Sequence, residues 1–283
     1  MPSDPITGPL YLENDRPFID LVVAGEHGRA DGRFLVDTGG GGVLLTKELA
    51  TQAGLAVAGR TDVEEWGVQL EEISVPPLTF AGQVIRADSP AYVILREVVG
   101  GPRNMISGRA LSRYRVVFDF PSRLFELYDP NEADPEERGI PLPTPIHPTT
   151  MFPRIEVTVA GRVYGMLLDT GAGCTMISPH LLDAWRQEHP GWQFVEGARG
   201  SAIKGRTDLD EGAVMVRVPE LSLGPFQLRD VWTVARRRGG NYEAFSERMM
   251  TGPAVGALGG NVLKEFRVEI DCALGCTYLR PSS

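Results

Sequence analysis

The sequence predicts a mainly β protein composed of two similar lobes with a few short helices. Most of the chain consists of short runs of Val, Ile, Leu and Phe separated by Gly and Pro. The triplet Asp-Thr-Gly occurs twice, in FLVDTGGGG at 34–42 and in MLLDTGAGC at 166–174. Longer segments around the triplets also recur, which indicates one unit present in two copies. A pseudo-twofold arrangement of the copies would bring both triplets to the interface between the lobes.

The first copy begins with the strand PFIDLVVAG, which precedes the first triplet. After the triplet, VLLTKELATQAGL predicts a strand that enters a short helix, with Thr46 as the N-cap residue. LTFAGQVI then predicts a strand, a turn and a second strand. The copy ends with ISGRALSRYRVVFDFPSRLFEL, which contains two further strands.

The second copy repeats this order with PRIEVTVAG, the second triplet, TMISPHLLDAW and LSLGPFQL. Ser178 is suited to the N-cap, and Pro179 to the first helical position. Asp169 follows Asp37 by 132 residues, whereas the closing segment LGGNVLKEFRVEIDCALGCTYL follows its counterpart by 152 (169 − 37 and 260 − 108). We therefore expect about twenty extra residues in the second copy and place them around 236–254.

The segment between the copies is rich in Pro and acidic residues, which is typical of a linker. The predicted organisation is a lobe at 1–128, a linker at 129–150 and a second lobe at 151–283.

Composition narrows the classes of function. A net charge of -9 argues against non-specific binding to nucleic acid, and no apolar run is long enough to span a bilayer. The start of the chain lacks a signal-peptide pattern, so we expect a cytoplasmic protein; a periplasmic or secreted one stays open if a leader was removed. We expect reduced thiols, although Cys272 and Cys276 could face each other in a hairpin and form a local disulfide in an oxidising compartment.

The two aspartates suggest a chemical role. A single triplet is explained by an Asp that caps a turn, but two triplets at equivalent places in two copies favour a shared site. Two carboxyl groups brought together at a pseudo-twofold axis cannot both ionise easily, so they share a proton. One group can then accept a proton from water while the other donates one to a carbonyl oxygen. This chemistry hydrolyses an amide directly, without a metal or another cofactor.

Asp-Thr-Gly followed by Gly or Ala, a strand and a helix, and then a hydrophobic-hydrophobic-Gly segment ahead of FRVEID, resembles the aspartic proteases. The resemblance is closer to the retropepsin-like branch than to the pepsins, because Gly40 and Ala172 follow the triplets where pepsins have Ser or Thr. It implies the bilobal acid-protease fold, with two β-barrel-like lobes and two diverged copies in a single chain. It covers nearly the whole chain apart from the linker and the extra residues of the second copy.

The resemblance also implies roles for individual residues. Asp37 and Asp169 would be the catalytic pair, with Thr38 and Thr170 bonded to each other at the base of the site. Gly39 and Gly171 would offer backbone groups to the substrate. The later element of the family is Ala257-Leu258-Gly259 in the second lobe, where Gly259 supports the site. In the first lobe it is Met105-Ile106-Ser107, so Ser107 takes the position of the glycine and departs from the family pattern.

Aspartic proteases also cover the cleft with a β-hairpin flap. In the first lobe this would be TDVEEWGVQLEEISV, with Trp66 and Gly67 near its tip and in contact with the substrate. Trp66 as a buried hairpin aromatic is the alternative. In the second lobe the corresponding segment is EGARGSAIKGR.

Other chemistries lack the required patterns. The four histidines show no zinc-binding spacing, no serine lies in a Gly-x-Ser-x-Gly elbow, and Cys174 has no evident histidine partner. We therefore expect no metal and no cofactor. The sequence favours an aspartic endopeptidase that acts as a monomer on polypeptide in extended conformation. The alternative is a catalytically silent peptide-binding module of the same fold.

Overall fold

The structure, a computed structural model, describes residues 4–65, 68–96, 103–129, 138–197, 213–235 and 242–281. These residues contain twenty-three β-strands and four short helices. The helices are α1 (Lys47–Gln52), α2 (Pro179–Glu188), α3 (Tyr242–Met249) and α4 (Gly260–Leu263). The prediction of a mainly β, bilobal protein is confirmed.

A ten-stranded sheet forms the first lobe. Its strands are β2 (Tyr11–Glu13), β3 (Arg16–Ala24), β4 (Arg29–Asp37), β5 (Val43–Thr46), β6 (Val63–Glu65), β7 (Val68–Ile73), β8 (Leu78–Phe80), β9 (Gln83–Ile85), β10 (Ala91–Arg96) and β11 (Met105–Ser107). β3 and β4 alternate buried apolar and more exposed residues along much of their length, as expected for strands with one face on the core.

A seven-stranded sheet forms the second lobe. Its strands are β15 (Arg154–Val159), β16 (Arg162–Leu168), β17 (Thr175–Ile177), β18 (Gln193–Glu196), β19 (Val214–Leu223), β20 (Phe226–Ala235) and β21 (Gly256–Leu258). Strands β15 and β19 also pair with each other, which closes the sheet on itself.

The two lobes use the same strand pairings. In the first lobe β11 runs parallel to β4 and antiparallel to β5, and β5 runs parallel to β10. In the second lobe β21 has the same relation to β16 and β17, and β17 runs parallel to β20. The predicted strand-turn-strand segments form as β8–β9 and β19–β20. Thr46 and Ser178 accept hydrogen bonds from the N–H groups of Leu49 and Leu181, which confirms both predicted N-caps.

The strand register divides the extra residues of the second lobe into two equal parts. Leu44 pairs with Tyr92 after 48 residues, whereas Met176 pairs with Val234 after 58 (92 − 44 and 234 − 176). Ten extra residues therefore lie before β20, and the remaining ten follow it. Only the second part falls in the predicted interval 236–254, where the structure describes helix α3.

A six-stranded antiparallel sheet joins the lobes. Its order is β1 (Ile6–Pro9), β13 (Leu124–Tyr128), β12 (Arg115–Asp119), β22 (Phe266–Asp271), β23 (Cys276–Pro281) and β14 (Ile140–Pro143). Val117 pairs with Glu269, and the same offset of 152 relates these two residues in the sequence. The pseudo-twofold axis therefore passes through this pair, and Arg115 opposite Asp271 is matched by Asp119 opposite Arg267.

Two details of this joining sheet differ from the sequence-based expectations. Residues 140–143 of the predicted linker form β14, which pairs with β23. Cys276 pairs with Asp271 across the final hairpin, so Cys272 lies in the turn and does not face Cys276. All three cysteines are free.

A cluster of buried charges lies on the joining sheet. The Glu269 carboxylate is 3% exposed and accepts hydrogen bonds from Arg115 at 3.4 Å, from Arg138 at 2.5 Å and from Arg267 at 3.3 Å. Arg138, which precedes β14, also donates to Asp271 at 2.6 Å. The buried carboxylate is thus compensated from both lobes and from the intervening segment, as a buried charge requires.

Glu269→Gln is expected to lower the free energy of unfolding by about 3 kcal/mol, because buried Arg115 has no other ion-pair partner among the described residues. Arg138 and Arg267, in contrast, keep Asp271 and Glu126 as partners. Urea unfolding at neutral pH measures the change. Glu188→Gln is the matched control, because Glu188 pairs with Arg162 on the exposed surface, where solvent screens the pair and its loss should change stability far less. Equal costs for the two variants would contradict a structural role of the buried cluster.

Candidate active site

The two aspartates lie at the ends of equivalent strands. Asp37 is the last residue of β4, and Asp169 directly follows β16. The carbonyl oxygen of Asp37 accepts a hydrogen bond from Gly108 at 2.8 Å, and the N–H group of Asp169 donates to Leu258 at 3.0 Å. Each triplet is therefore fixed to the neighbouring strand of its own lobe.

The carboxyl groups of the two aspartates meet at the interface between the lobes. The side chains of Asp37 and Asp169 interact, and each affects the pKa of the other. A Cβ atom at Gly39 would lie 3.0 Å from the Asp169 carboxyl carbon, and one at Gly171 would overlap the Asp37 carboxyl group. The glycine of each triplet thus allows the turn of one lobe to approach the carboxyl group of the other.

Thr38 and Thr170 form a reciprocal set of hydrogen bonds beneath the carboxyl groups. The N–H group of Thr38 donates to the Thr170 hydroxyl at 3.1 Å, and the N–H group of Thr170 donates to the Thr38 hydroxyl at 3.0 Å. The Thr38 hydroxyl donates to the carbonyl of Leu168 at 2.6 Å, and the Thr170 hydroxyl donates to that of Val36 at 2.7 Å. Each threonine is buried and bonded to the opposite lobe.

The environment raises the pKa of both carboxyl groups. Burial is the main cause for each, and repulsion from Asp169 raises the pKa of Asp37 further, to well above its ordinary value. The N–H group of Gly39 donates to Asp37 at 2.8 Å, and that of Ala172 donates to Asp169 at 3.2 Å. These bonds favour the ionised forms and oppose the rise. The pair therefore keeps one proton above the pH at which an ordinary aspartate ionises.

Ser107 and Gly259 occupy equivalent places with different space around them. Ser107 is fully buried, and its hydroxyl accepts a hydrogen bond from Ala110 at 3.1 Å. A Cβ atom at Gly259 would lie 2.6 Å from the carbonyl carbon of Cys174. The first lobe therefore accommodates serine where the second lobe has no room for a side chain.

The predicted flap of the first lobe is described only in its strands. β6 and β7 form an antiparallel hairpin in which Val63 pairs with Leu70. Trp66 and Gly67, the predicted tip residues, lie outside the described residues, as does most of the corresponding segment of the second lobe.

Arg16 is a charged residue near the aspartates that the sequence interpretation did not identify. Its positive charge attracts the ionised carboxylates of Asp169 and Asp37. It therefore offsets part of the rise that burial causes in the pKa of each. In the sequence Arg16 directly precedes the repeated segment PFIDLVVAG, so no repeat marks it as part of a site.

The described residues show neither a metal site nor a membrane-spanning helix. In these parts of the chain, no three His, Cys, Asp or Glu side chains are placed to hold a metal ion. No described helix has the length and apolar character needed to cross a bilayer.

Comparison with known proteins bears on both the sequence and the fold. Residues 155–261, within the second lobe, match the family model described as aspartyl protease. No curated protein matches the chain. The crystal structure of an aspartic proteinase from Irpex lacteus is similar, with a TM-score of 0.56 and 12% sequence identity, over 99% of this chain and 98% of that one. At this identity the likeness concerns the fold.

The two findings together confirm the resemblance to the pepsin/retropepsin-like aspartic proteases, through the family model for the second lobe and through the fold for the whole chain. The family model that matches the second lobe supports a hydrolase of the peptidase type.

Thr170→Val is expected to destabilise the protein by about 2–3 kcal/mol, because it leaves a buried N–H group and a buried carbonyl of the first lobe without partners. Urea unfolding measures the loss. Thr233→Val is the matched control, because Thr233 is also buried but its hydroxyl has no hydrogen-bond partner in the described parts of the chain. The control should be neutral or slightly stabilising, and a Thr170→Val variant as stable as the wild type would contradict the role of these bonds.

Proposed function

We propose that the protein is an aspartic endopeptidase that hydrolyses peptide bonds with Asp37 and Asp169 as its catalytic pair. The observation that carries the proposal is the meeting of these carboxyl groups across the lobe interface, where the glycine of each triplet lies against the carboxyl group of the opposite lobe. Two aspartates from different lobes meet only if both triplets contribute to one site.

The arrangement supports acid and base catalysis in one step. In the singly protonated pair, the ionised carboxylate removes a proton from a water molecule while the oxygen of that water attacks the peptide carbonyl carbon. The protonated carboxyl group donates its proton to the carbonyl oxygen, and the pair then holds the proton taken from the water. The products of this step are a tetrahedral diol and a pair with its net charge unchanged.

Breakdown of the diol uses the same groups in reverse roles. The protonated carboxyl group donates its proton to the amide nitrogen as the carbon–nitrogen bond breaks, and the carboxylate accepts a proton from a diol hydroxyl. The pair returns to its starting charge, and no covalent intermediate with the protein is formed.

The turns that carry the aspartates favour an extended substrate. Gly39 and Gly171 are half-buried beside the carboxyl groups, and their backbone would contact a peptide in the cleft. Strand-like backbone pairing is a common way to hold such a peptide. The hairpin of β6 and β7 would cover the substrate as a flap, with Trp66 and Gly67 at its tip, and a single chain would be sufficient for activity.

Asp37→Asn is expected to lower kcat/KM for a denatured polypeptide by about a thousandfold or more, because the remaining carboxyl group cannot serve as acid and base together. Asp183→Asn, on the exposed face of α2, is the control and should cleave at the wild-type rate. Cleavage by Asp37→Asn at the wild-type rate, or none by the wild type, would count against catalysis. The second outcome, with retained peptide binding, would favour the silent binding module.

The stability of Asp37→Asn separates loss of chemistry from misfolding. The pKa of Asp37 is raised in the folded protein, so the folded state binds the proton more tightly, and the contribution of this group to stability is lost as pH rises from the unfolded pKa through the folded one. At pH 7, the Asp37→Asn variant should therefore be at least as stable as the wild type in urea unfolding. A strongly destabilised variant would make its activity loss uninformative and require Asp169→Asn instead.

The rate is expected to follow a bell-shaped pH profile with a mildly acidic optimum. Activity falls at low pH when both carboxyl groups are protonated, and at high pH when both are ionised. The raised pKa of the pair moves the second limb above the ordinary aspartate value of about 3.9. Gly40 and Ala172 have no hydroxyl to stabilise the ionised carboxylate, which acts in the same direction. Measurement of kcat/KM across pH tests this, and a maximum near pH 2 would contradict it.

A further inference from the structure

Arg16 has a guanidinium group with no hydrogen-bond or ion-pair partner among the residues that the structure describes. Its Nε atom is buried and makes no hydrogen bond within the described ranges. Two other arginines of the same lobe are paired, Arg33 with Asp20 at 2.9 Å and Arg103 with Glu13 at 3.2 Å. No described carboxylate lies within ion-pair distance of Arg16, and the carboxyl groups of Asp169 and Asp37 act on it from farther away.

Arg16 follows a tight turn that reaches from the first lobe to the second. Asn14 and Asp15 form this turn between β2 and β3, both in the left-handed region at φ 53° and 62°. The Asp15 carboxylate accepts a hydrogen bond from Lys264 of the second lobe at 3.0 Å. A Cβ atom at Gly260 would overlap the carbonyl oxygen of Asp15, so the turn lies directly on that backbone.

This contact places Arg16 at the edge of the candidate site. The carbonyl oxygen of Asn14 lies against Gly173, and the Arg16 Nε atom is 3.5 Å from the position of a Cβ at Gly173. Gly173 belongs to the same loop as Asp169 and is four residues further along the chain. The guanidinium group is therefore held beside the loop of the second aspartate, although Arg16 belongs to the first lobe.

The environment of Arg16 favours the binding of an anion. Burial lowers the pKa of Arg16, which shows that the charged form loses hydration in this position. An arginine remains charged under these conditions, and its planar fork can bond both oxygens of a carboxylate. A carboxylate supplied from the cleft would compensate the lost hydration.

We propose that Arg16 determines specificity by binding a carboxylate group of the polypeptide substrate close to the scissile bond. The proposal rests on the proposed function, because it assigns a substrate feature to the same cleft. The carboxylate could belong to an acidic side chain or to a free C-terminus.

The test compares peptides that differ only in Glu or Gln at each position around the cleaved bond, each made with a free and an amidated C-terminus. At about 0.15 M salt, where long-range charge effects are screened, the wild type should cleave one carboxylate-bearing peptide with at least about tenfold higher kcat/KM than its neutral partner. A preference for internal Glu identifies a side chain, and a preference for the free terminus identifies a terminal carboxylate. Arg16→Gln should abolish the preference, and Arg16→Glu should favour a Lys-containing peptide.

Arg103→Gln is the matched control, because it removes a nearby exposed arginine charge that is paired with Glu13. It should keep the wild-type preference. Equal cleavage of carboxylate-bearing and neutral peptides by the wild type would overturn the proposal. So would an equal loss of kcat/KM for all peptides in Arg16→Gln, because the preference for a carboxylate would then not depend on Arg16.

A binding measurement distinguishes failure of the proposed catalytic function from failure of the proposed role of Arg16. If the wild type cleaves no peptide, fluorescence anisotropy of the same peptides with Asp37→Asn measures recognition without chemistry. Tighter binding of the carboxylate-bearing peptide, lost in the Asp37→Asn and Arg16→Gln double variant, supports the role of Arg16. Equal binding of both peptides overturns it.

Discussion

The reciprocal approach of two Asp-Thr-Gly turns across the lobe interface is the constraint on which the rest of the structure depends. Each threonine satisfies backbone groups of the opposite lobe, so neither turn is fully hydrogen-bonded without the other. Gly171 has no side chain, and the Asp37 carboxyl group occupies the space that a Cβ atom there would fill. The geometry of the carboxyl pair is therefore a property of the interface and of neither lobe alone. A displacement of one lobe relative to the other would break these hydrogen bonds and leave polar groups without partners. The same displacement would separate the two aspartates.

The joining sheet fixes that interface at a distance from the aspartates. Its central strands pair symmetrically about Val117 and Glu269, so opposite charges face each other on both sides of the axis. The buried carboxylate of Glu269 needs arginines from both lobes, and Arg138 adds a third from the segment between them. Buried charges contribute little net stability, but they are costly to leave unpaired. The sheet therefore favours one relative position of the lobes over others that apolar packing alone would allow.

Local and repeated features could be predicted from the sequence, and long-range partners could not. The doubled triplet, the helix caps at Thr46 and Ser178 and the strand-turn-strand segments all depend on residues close together in the chain. The buried pairing of Arg138, and the place of Arg16 beside a loop of the other lobe, depend on contacts between distant segments and leave no periodic pattern. The division of the extra residues could also have been predicted, because LTFAGQVI and LSLGPFQL are 143 residues apart (221 − 78), about midway between the offsets of 132 and 152.

The two lobes are similar, but a difference at equivalent positions makes the cleft asymmetric. In the aligned segments, Arg16 of the first lobe corresponds to Phe152 of the second, since each directly precedes the proline of the repeated strand. Phe152 is buried and stacks on Phe245 of α3, which lies in the second-lobe insertion, with ring centres 5.7 Å apart. One side therefore has a cation with no partner in the described part of the chain, where the other side has a covered aromatic ring. A symmetric cleft would bind a peptide equally well in either direction, whereas a charge on one side gives the two directions different free energies. The departure from symmetry thus provides a physical means of orienting a substrate that is itself asymmetric.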